Sequence, residues 1–93
     1  MTAQHEAHQT SNHEEIRRWT ESRGGRPATV KGTEHGSEHA GVLRISFDGD
    51  RDLEQISWDE FFDKFDGADL AFLYQERTKD GQPSRFFKFV NKR

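Results

Sequence analysis

Trp58, Phe61, Phe62 and Phe65 recur at i, i+3, i+4 and i+7, while Asp59, Asp63 and Asp66 fall between them. That spacing predicts an amphipathic helix over residues 58–66 with its aromatic face inward. Ser57 and Glu60 form an S-x-x-E capping box at its start, Ile56 stands where a hydrophobic staple would reach Phe61, and Gly67 is placed to close it. A second, shorter stripe, Ile16 and Trp19, predicts a helix over residues 12–23. Either Ser11 with Glu14 or Asn12 with Glu15 would cap it. Its end is the stretch ESRGGRP. Gly24 suits a left-handed residue just past the helix, Arg23 complements the negative helix end, and Pro27 prevents continuation. An anion held between Arg23 and Arg26 is the alternative, but anion sites form at helix N-termini, and this is a C-terminus.

Alternation takes over elsewhere. Ala28-Thr29-Val30-Lys31 reads as a short strand ending at Gly32. Residues 42–47 alternate so that Leu43, Ile45 and Phe47 share one face and Val42, Arg44 and Ser46 the other. Leu70 to Arg77 and Arg85 to Val90 are β-prone runs joined through Asp80-Gly81, which suits a two-residue type I′ hairpin. That turn sets Glu76 opposite Arg85, Tyr74 opposite Phe87 and Phe72 opposite Phe89, collecting Leu70, Phe72, Tyr74, Phe87 and Phe89 on one face. The expected fold is therefore α+β in the order α-β-β-α-β-β, an antiparallel sheet with both helices on one face.

Composition sets the scale of the core. The chain of 93 residues is 30% hydrophobic, but eight Phe, two Trp and one Tyr carry large areas per side chain. Residues 1–12 have no apolar periodicity and read as a disordered tail ahead of a single domain, 13–93. There is no cysteine, which removes disulfides, thiolate nucleophiles and Cys-based metal sites and fits a reducing compartment. No apolar run approaches the roughly 20 residues of a membrane span, and the start lacks a signal-peptide core. The expectation is a cytoplasmic protein with no membrane association.

The net charge of −3 is unevenly spread. Residues 13–32 hold five basic and three acidic side chains, residues 33–69 three and eleven, and residues 70–93 six and two. An overall field that attracts nucleic acid is absent, yet two basic segments could still meet as a patch.

Few residues point to chemistry. Asp48, Asp50 and Asp52 open like a calcium loop, but the sixth and twelfth positions are Leu53 and Asp59 instead of Gly and Glu. The segment reads as a solvated acidic loop. His5, His8, His13, His35 and His39 include H-x-x-H and H-x-x-x-H spacings, set in polar segments with nothing to fix a ligand geometry. The near-repeat within residues 33–41 belongs to such a loop. No nucleophile elbow, Walker loop, dinucleotide-binding glycine pattern or H-E-x-x-H occurs, so no catalytic residue, metal or cofactor is expected.

The remaining candidate is the sheet face turned away from the helices. Alternation puts Arg44, Leu73, Arg77, Phe86, Lys88 and Val90 there, mixing apolar and basic groups. Such a surface suits a protein partner or a second copy. Single-stranded nucleic acid, with bases stacked on aromatics, is the alternative, although RFFKFV lacks the glycines of the RNP1 pattern.

The segments IRRWTESRGGRPATVKGT, GVLRISFDG, ISWDEFFDKFD, LAFLYQE and SRFFKFV together resemble a family of small bacterial proteins without assigned function, across about residues 13–90. Members often carry the label alpha-glucan branching enzyme. The resemblance implies a shared fold, compartment and bacterial source. It carries no catalytic or binding residue to this chain, and the (β/α)₈ barrel that branching enzymes resemble needs about 200 residues or more. A glucan-related enzyme or accessory is the third reading, behind a binding module and a nucleic-acid binder.

Overall fold

The computed structural model describes residues 7–30, 43–47 and 52–92. Along these the order is β1 (Ala7–Thr10), α1 (His13–Ser22), β2 (Arg26–Val30), β3 (Leu43–Ser46), β4 (Leu53–Gln55), α2 (Trp58–Gly67), β5 (Leu70–Gln75) and β6 (Phe87–Asn91). The class is α+β, as the alternating patterns indicated. The strands divide into two antiparallel three-stranded sheets, ordered β1-β5-β6 and β3-β2-β4. A single sheet was expected. Instead β2 is flanked on both edges, by β3 and by the short β4, so no edge of it remains for β5 or β6.

Both helices form where the apolar spacing places them. Ser57 caps α2 by accepting the Glu60 N–H at 3.0 Å, and Phe61 and Phe65 are fully buried. Gly67 is the last helical residue and does not close the helix. Asp69, at φ +55°, takes the left-handed position instead, and the Asp69 N–H returns to the Asp66 carbonyl at 3.1 Å. Asn12 caps α1, accepting the Glu15 N–H at 2.9 Å. The two helices meet where His13, stacked on Phe62 at 4.0 Å between ring centroids, bonds Asp66 at 3.0 Å.

The end of α1 shows why ESRGGRP needs two glycines. Gly25 N–H bonds the Thr20 carbonyl at 2.9 Å and Gly24 N–H bonds that of Glu21 at 3.1 Å, a Schellman closure with Gly24 at φ +75°. Gly24 faces open space. Gly25 does not: a Cβ there would lie 2.9 Å from both Phe47 and Thr20 and 3.0 Å from Ile45. The first glycine serves the backbone conformation and the second serves packing.

The hairpin register agrees with the side-chain pairing: Phe72 opposes Phe89 and Tyr74 opposes Phe87. Its turn differs. Thr78 N–H bonds the Gln82 carbonyl at 2.8 Å and Gly81 N–H that of Thr78 at 2.9 Å. Gly81 has φ +85°, whereas Asp80 is not left-handed, so the loop holds three residues and not the two of a type I′ turn. Trp19 meets Phe72, Tyr74 and Phe87 while Phe61 and Phe65 meet Phe89, so both helices lie on one face of sheet β1-β5-β6. Leu43 and Ile45 bring β3 into the same core.

The expected tail departs furthest from the structure. Residues 7–10 pair with β5, His8 opposite Tyr74 and Thr10 opposite Phe72, although every side chain of β1 but Thr10 is exposed. Polar side chains carry no inward pattern. The strand forms because β5 offers a backbone edge and because Glu15 anchors Thr10, its carboxylate accepting the hydroxyl at 2.8 Å.

Among the described residues one buried side-chain group lacks a partner. Thr29, fully buried opposite Leu43, has an Oγ1 with no hydrogen bond. Thr29→Val should therefore raise stability, by about 1 kcal/mol, because it removes an unpaired buried hydroxyl at nearly constant shape. Gly24→Ala should cost about 1 kcal/mol through its positive φ, and Gly25→Ala about 1–3 kcal/mol through overpacking. Urea unfolding midpoints measure all three.

Candidate functional site

Among the described residues two surfaces are candidates. The first is a groove of about 650 Å³ beside α1, lined by Glu14, Glu15, Arg18, Trp19, Arg23, Tyr74 and Glu76 among others. Its charges are already matched. Arg18 pairs with Glu14 at 3.3 Å, and Glu15 accepts from Thr10 with one oxygen and from the Tyr74 hydroxyl with the other. Arg23, with a side chain only 8% exposed, donates from Nε to the Ser84 carbonyl, from Nη2 to the Glu76 carbonyl at 2.6 Å, and from Nη1 to the Trp19 carbonyl at 3.2 Å and the Ser22 hydroxyl at 2.9 Å. The guanidinium also lies 4.7 Å from the centroid of Trp19. Burial lowers its pKa and the Glu76 charge opposes that shift, so it stays a cation bound internally. Arg23 is a staple from the helix end to the hairpin. It is not half of an anion site with Arg26, which is exposed on β2.

The Tyr74 phenol is a donor, not a base. Burial, then its bond to the Glu15 carboxylate, raises its pKa above the ordinary value near 10. Ser22, the serine that lines the groove, donates its hydroxyl to the Trp19 carbonyl at 2.9 Å. Among the described residues no group of three His, Asp or Glu side chains could hold a metal ion. His8 lies against Tyr74 and His13 against Phe62. His5, His35, His39, Asp48 and Asp50 lie outside the described residues, as does the near-repeat of residues 33–41. No helix among the described residues is long and apolar enough to cross a membrane.

The second surface is the outer face of sheet β1-β5-β6. Leu73 and Lys88 are direct cross-strand partners there, with Gln9 of β1 on the other side of Leu73. Phe86 precedes β6 on the same alternation as Lys88 and is 47% exposed, the one large apolar side chain left so open among the described residues. A residue outside the sequence-level candidates sets it there. Ser84 is buried, its hydroxyl donates to Gln75 Oε1 at 2.7 Å, and it accepts the Phe86 N–H at 3.1 Å. The segment before β6 thus turns on Ser84, and a lone serine between proline and arginine gives no sequence signal of that.

Two expected members of the face go elsewhere. Arg44 sits on β3 in the other sheet, opposite Ala28, with Nη1 donating to the Leu43 carbonyl at 2.8 Å. Arg77 forms a bridge with Pro83 and donates to the Gly81 carbonyl at 3.0 Å, serving its own hairpin loop. What remains together is Leu73, Phe86 and Lys88, continued by the half-buried Val90.

Comparison with protein-family models, with curated proteins and with solved structures finds no match for this chain. The site stands on its own geometry.

Ionisation of Tyr74 gives a test of the groove as a structural element. The folded chain holds the phenol protonated, while the unfolded chain ionises near pH 10, so its contribution is full below about pH 10 and declines as pH rises beyond it. Tyr74→Phe should lose about 1–3 kcal/mol at neutral pH, and the gap from wild type should narrow on titration to pH 11.5. Paired urea melts at the two pH values measure it.

Proposed function

We propose that this chain is a non-catalytic interaction module that meets a protein partner through the outer face of sheet β1-β5-β6. The observation that carries the reading is Phe86. A phenylalanine 47% exposed, beside a lysine and an aliphatic residue in one cross-strand row, is the anchor and rim composition of a contact surface. The internal use of charge elsewhere supports it. The groove beside α1 has spent its cations and carboxylates on one another, which leaves its side chains poorly placed for substrate.

Single-stranded nucleic acid is the weaker reading for a stated reason. Base stacking needs successive aromatics beside free cations, and this face offers Phe86 alone, while Arg44 and Arg77 donate to backbone carbonyls. The overall charge of −3 adds no long-range attraction.

The test pairs Phe86→Ser with Lys88→Glu in one variant. Circular dichroism should report an intact fold, because both residues are exposed, and affinity capture from the source cells should lose the partners that wild type retains. Retention of every partner would remove this face from consideration. Salt-sensitive binding of a fluorescent oligonucleotide by wild type, lost in the variant, would favour the nucleic-acid reading instead.

A further inference from the structure

The backbone of β6 carries more information than its side chains. Gln75 N–H bonds the Phe86 carbonyl at 3.3 Å, and Lys92 N–H bonds the Asp69 carbonyl at 2.9 Å. These bonds bracket the pairs Tyr74–Phe87 and Leu70–Asn91, which makes both of them non-hydrogen-bonded pairs of the ladder. By the same alternation Lys88 and Val90 exchange bonds with β5. The N–H and C=O groups of Phe87, Phe89 and Asn91 therefore point away from the sheet. β6 is its outer strand, so these groups form an edge with three donor and acceptor positions about 6.8 Å apart.

Charge decides what can use that edge. Lys88 projects from the middle of β6 and Lys92 follows its end, both exposed, while Arg85, before its start, lies over the Phe47 ring at 5.0 Å. An edge lysine discourages pairing with another copy of a basic strand. Two β6 strands paired about Phe89 would bring Lys88 diagonal to its own counterpart and set both basic ends together. The same lysine favours an acidic strand. A residue opposite Lys88 would sit in a non-hydrogen-bonded pair, where cross-strand side chains approach closest. Residues opposite Phe87 and Phe89 would face the half-buried rings that border the core.

We propose that β6 receives an extended segment of a partner protein as the fourth strand of sheet β1-β5-β6, with an acidic side chain opposite Lys88 and apolar ones opposite Phe87 and Phe89. The proposal rests on the reading of this sheet as the contact surface and names the partner's chemistry. Recognition is by main-chain hydrogen bonds, with side chains selecting the register.

The probe is a synthetic Val-Glu-Val-Glu-Val-Glu-Val peptide, titrated into the ¹⁵N-labelled chain beside its counterpart with Lys at each Glu. The Glu peptide should shift the Phe87, Phe89 and Asn91 amides and slow their exchange with solvent, and the Lys peptide should bind more weakly. Lys88→Glu should weaken the Glu peptide about fivefold and narrow or invert the preference. Asn91→Pro deletes one outward donor without touching the ladder to β5 and should weaken both peptides, with circular dichroism reporting the fold. Absence of any shift at millimolar peptide overturns the strand proposal. So does protection of the three amides in the free protein together with sedimentation as a dimer, which would make a second copy the occupant. If no peptide binds while the Phe86 and Lys88 double variant still loses its partner, the face reading survives and the added strand does not. If the double variant also keeps every partner, both fall.

Discussion

The guanidinium of Arg23 joins chain segments 53 and 61 residues away from it, the carbonyls of Glu76 and Ser84. It does so from the C-cap of α1, above the ring of Trp19, whose own Nε1–H donates to the Gln75 carbonyl at 2.9 Å. One helix end thereby fixes the strand before the hairpin loop and the segment after it. A buried cation is costly unless its donors are satisfied, and here each guanidinium nitrogen has at least one acceptor. Just beyond Arg23, the Schellman turn at Gly24 and the missing side chain at Gly25 let the chain pass close against Phe47 and Ile45. Trp19 then reaches Phe47, Phe72, Tyr74 and Phe87, so the helix, both sheets and the hairpin share one aromatic cluster.

A small chain with 30% hydrophobic residues has to spend its polar groups on its own construction. Glu15 illustrates this: one carboxylate holds Thr10 of β1 and the phenol of Tyr74 on β5, while its backbone N–H is the group that Asn12 caps. His13 and Asp66 do the same between the helices. These ionisable groups are held against partners within the fold. Among the described residues, Phe86 is left exposed at the sheet and the outward backbone of β6 has no neighbouring strand.

Ser84 links the two halves of that picture. Its carbonyl accepts from Arg23 and its hydroxyl accepts the Phe86 N–H, while the Phe86 carbonyl stays bonded to Gln75, so the staple that holds the core together also fixes the residue that carries the exposed ring. The position of the exposed ring is thus coupled to the end of α1, across the hairpin. Rigidity of this kind lowers the ordering cost of binding.

The local features were legible in the sequence because their causes are local. The Ser57 cap, the Phe61 and Phe65 face, the left-handed Gly24 and the pairing of Phe72 with Phe89 each follow from residues within one helix turn or across one hairpin. Leu73, Phe86 and Lys88 share a face for the same reason, since a strand alternates whatever surrounds it. Tertiary structure alone decided the rest. The polar AHQT of β1 has no pattern of its own and becomes a strand only against β5 and Glu15. The division into two sheets depends on β4 reaching β2, a pairing of Ala28 with Gln55 that no short-range signal announces. That division sends Arg44 to another sheet, and a three-residue turn in place of a two-residue one claims Arg77. Alternation assigns a side chain to a face of its strand, but which strands lie side by side is settled by backbone groups that look alike in every residue.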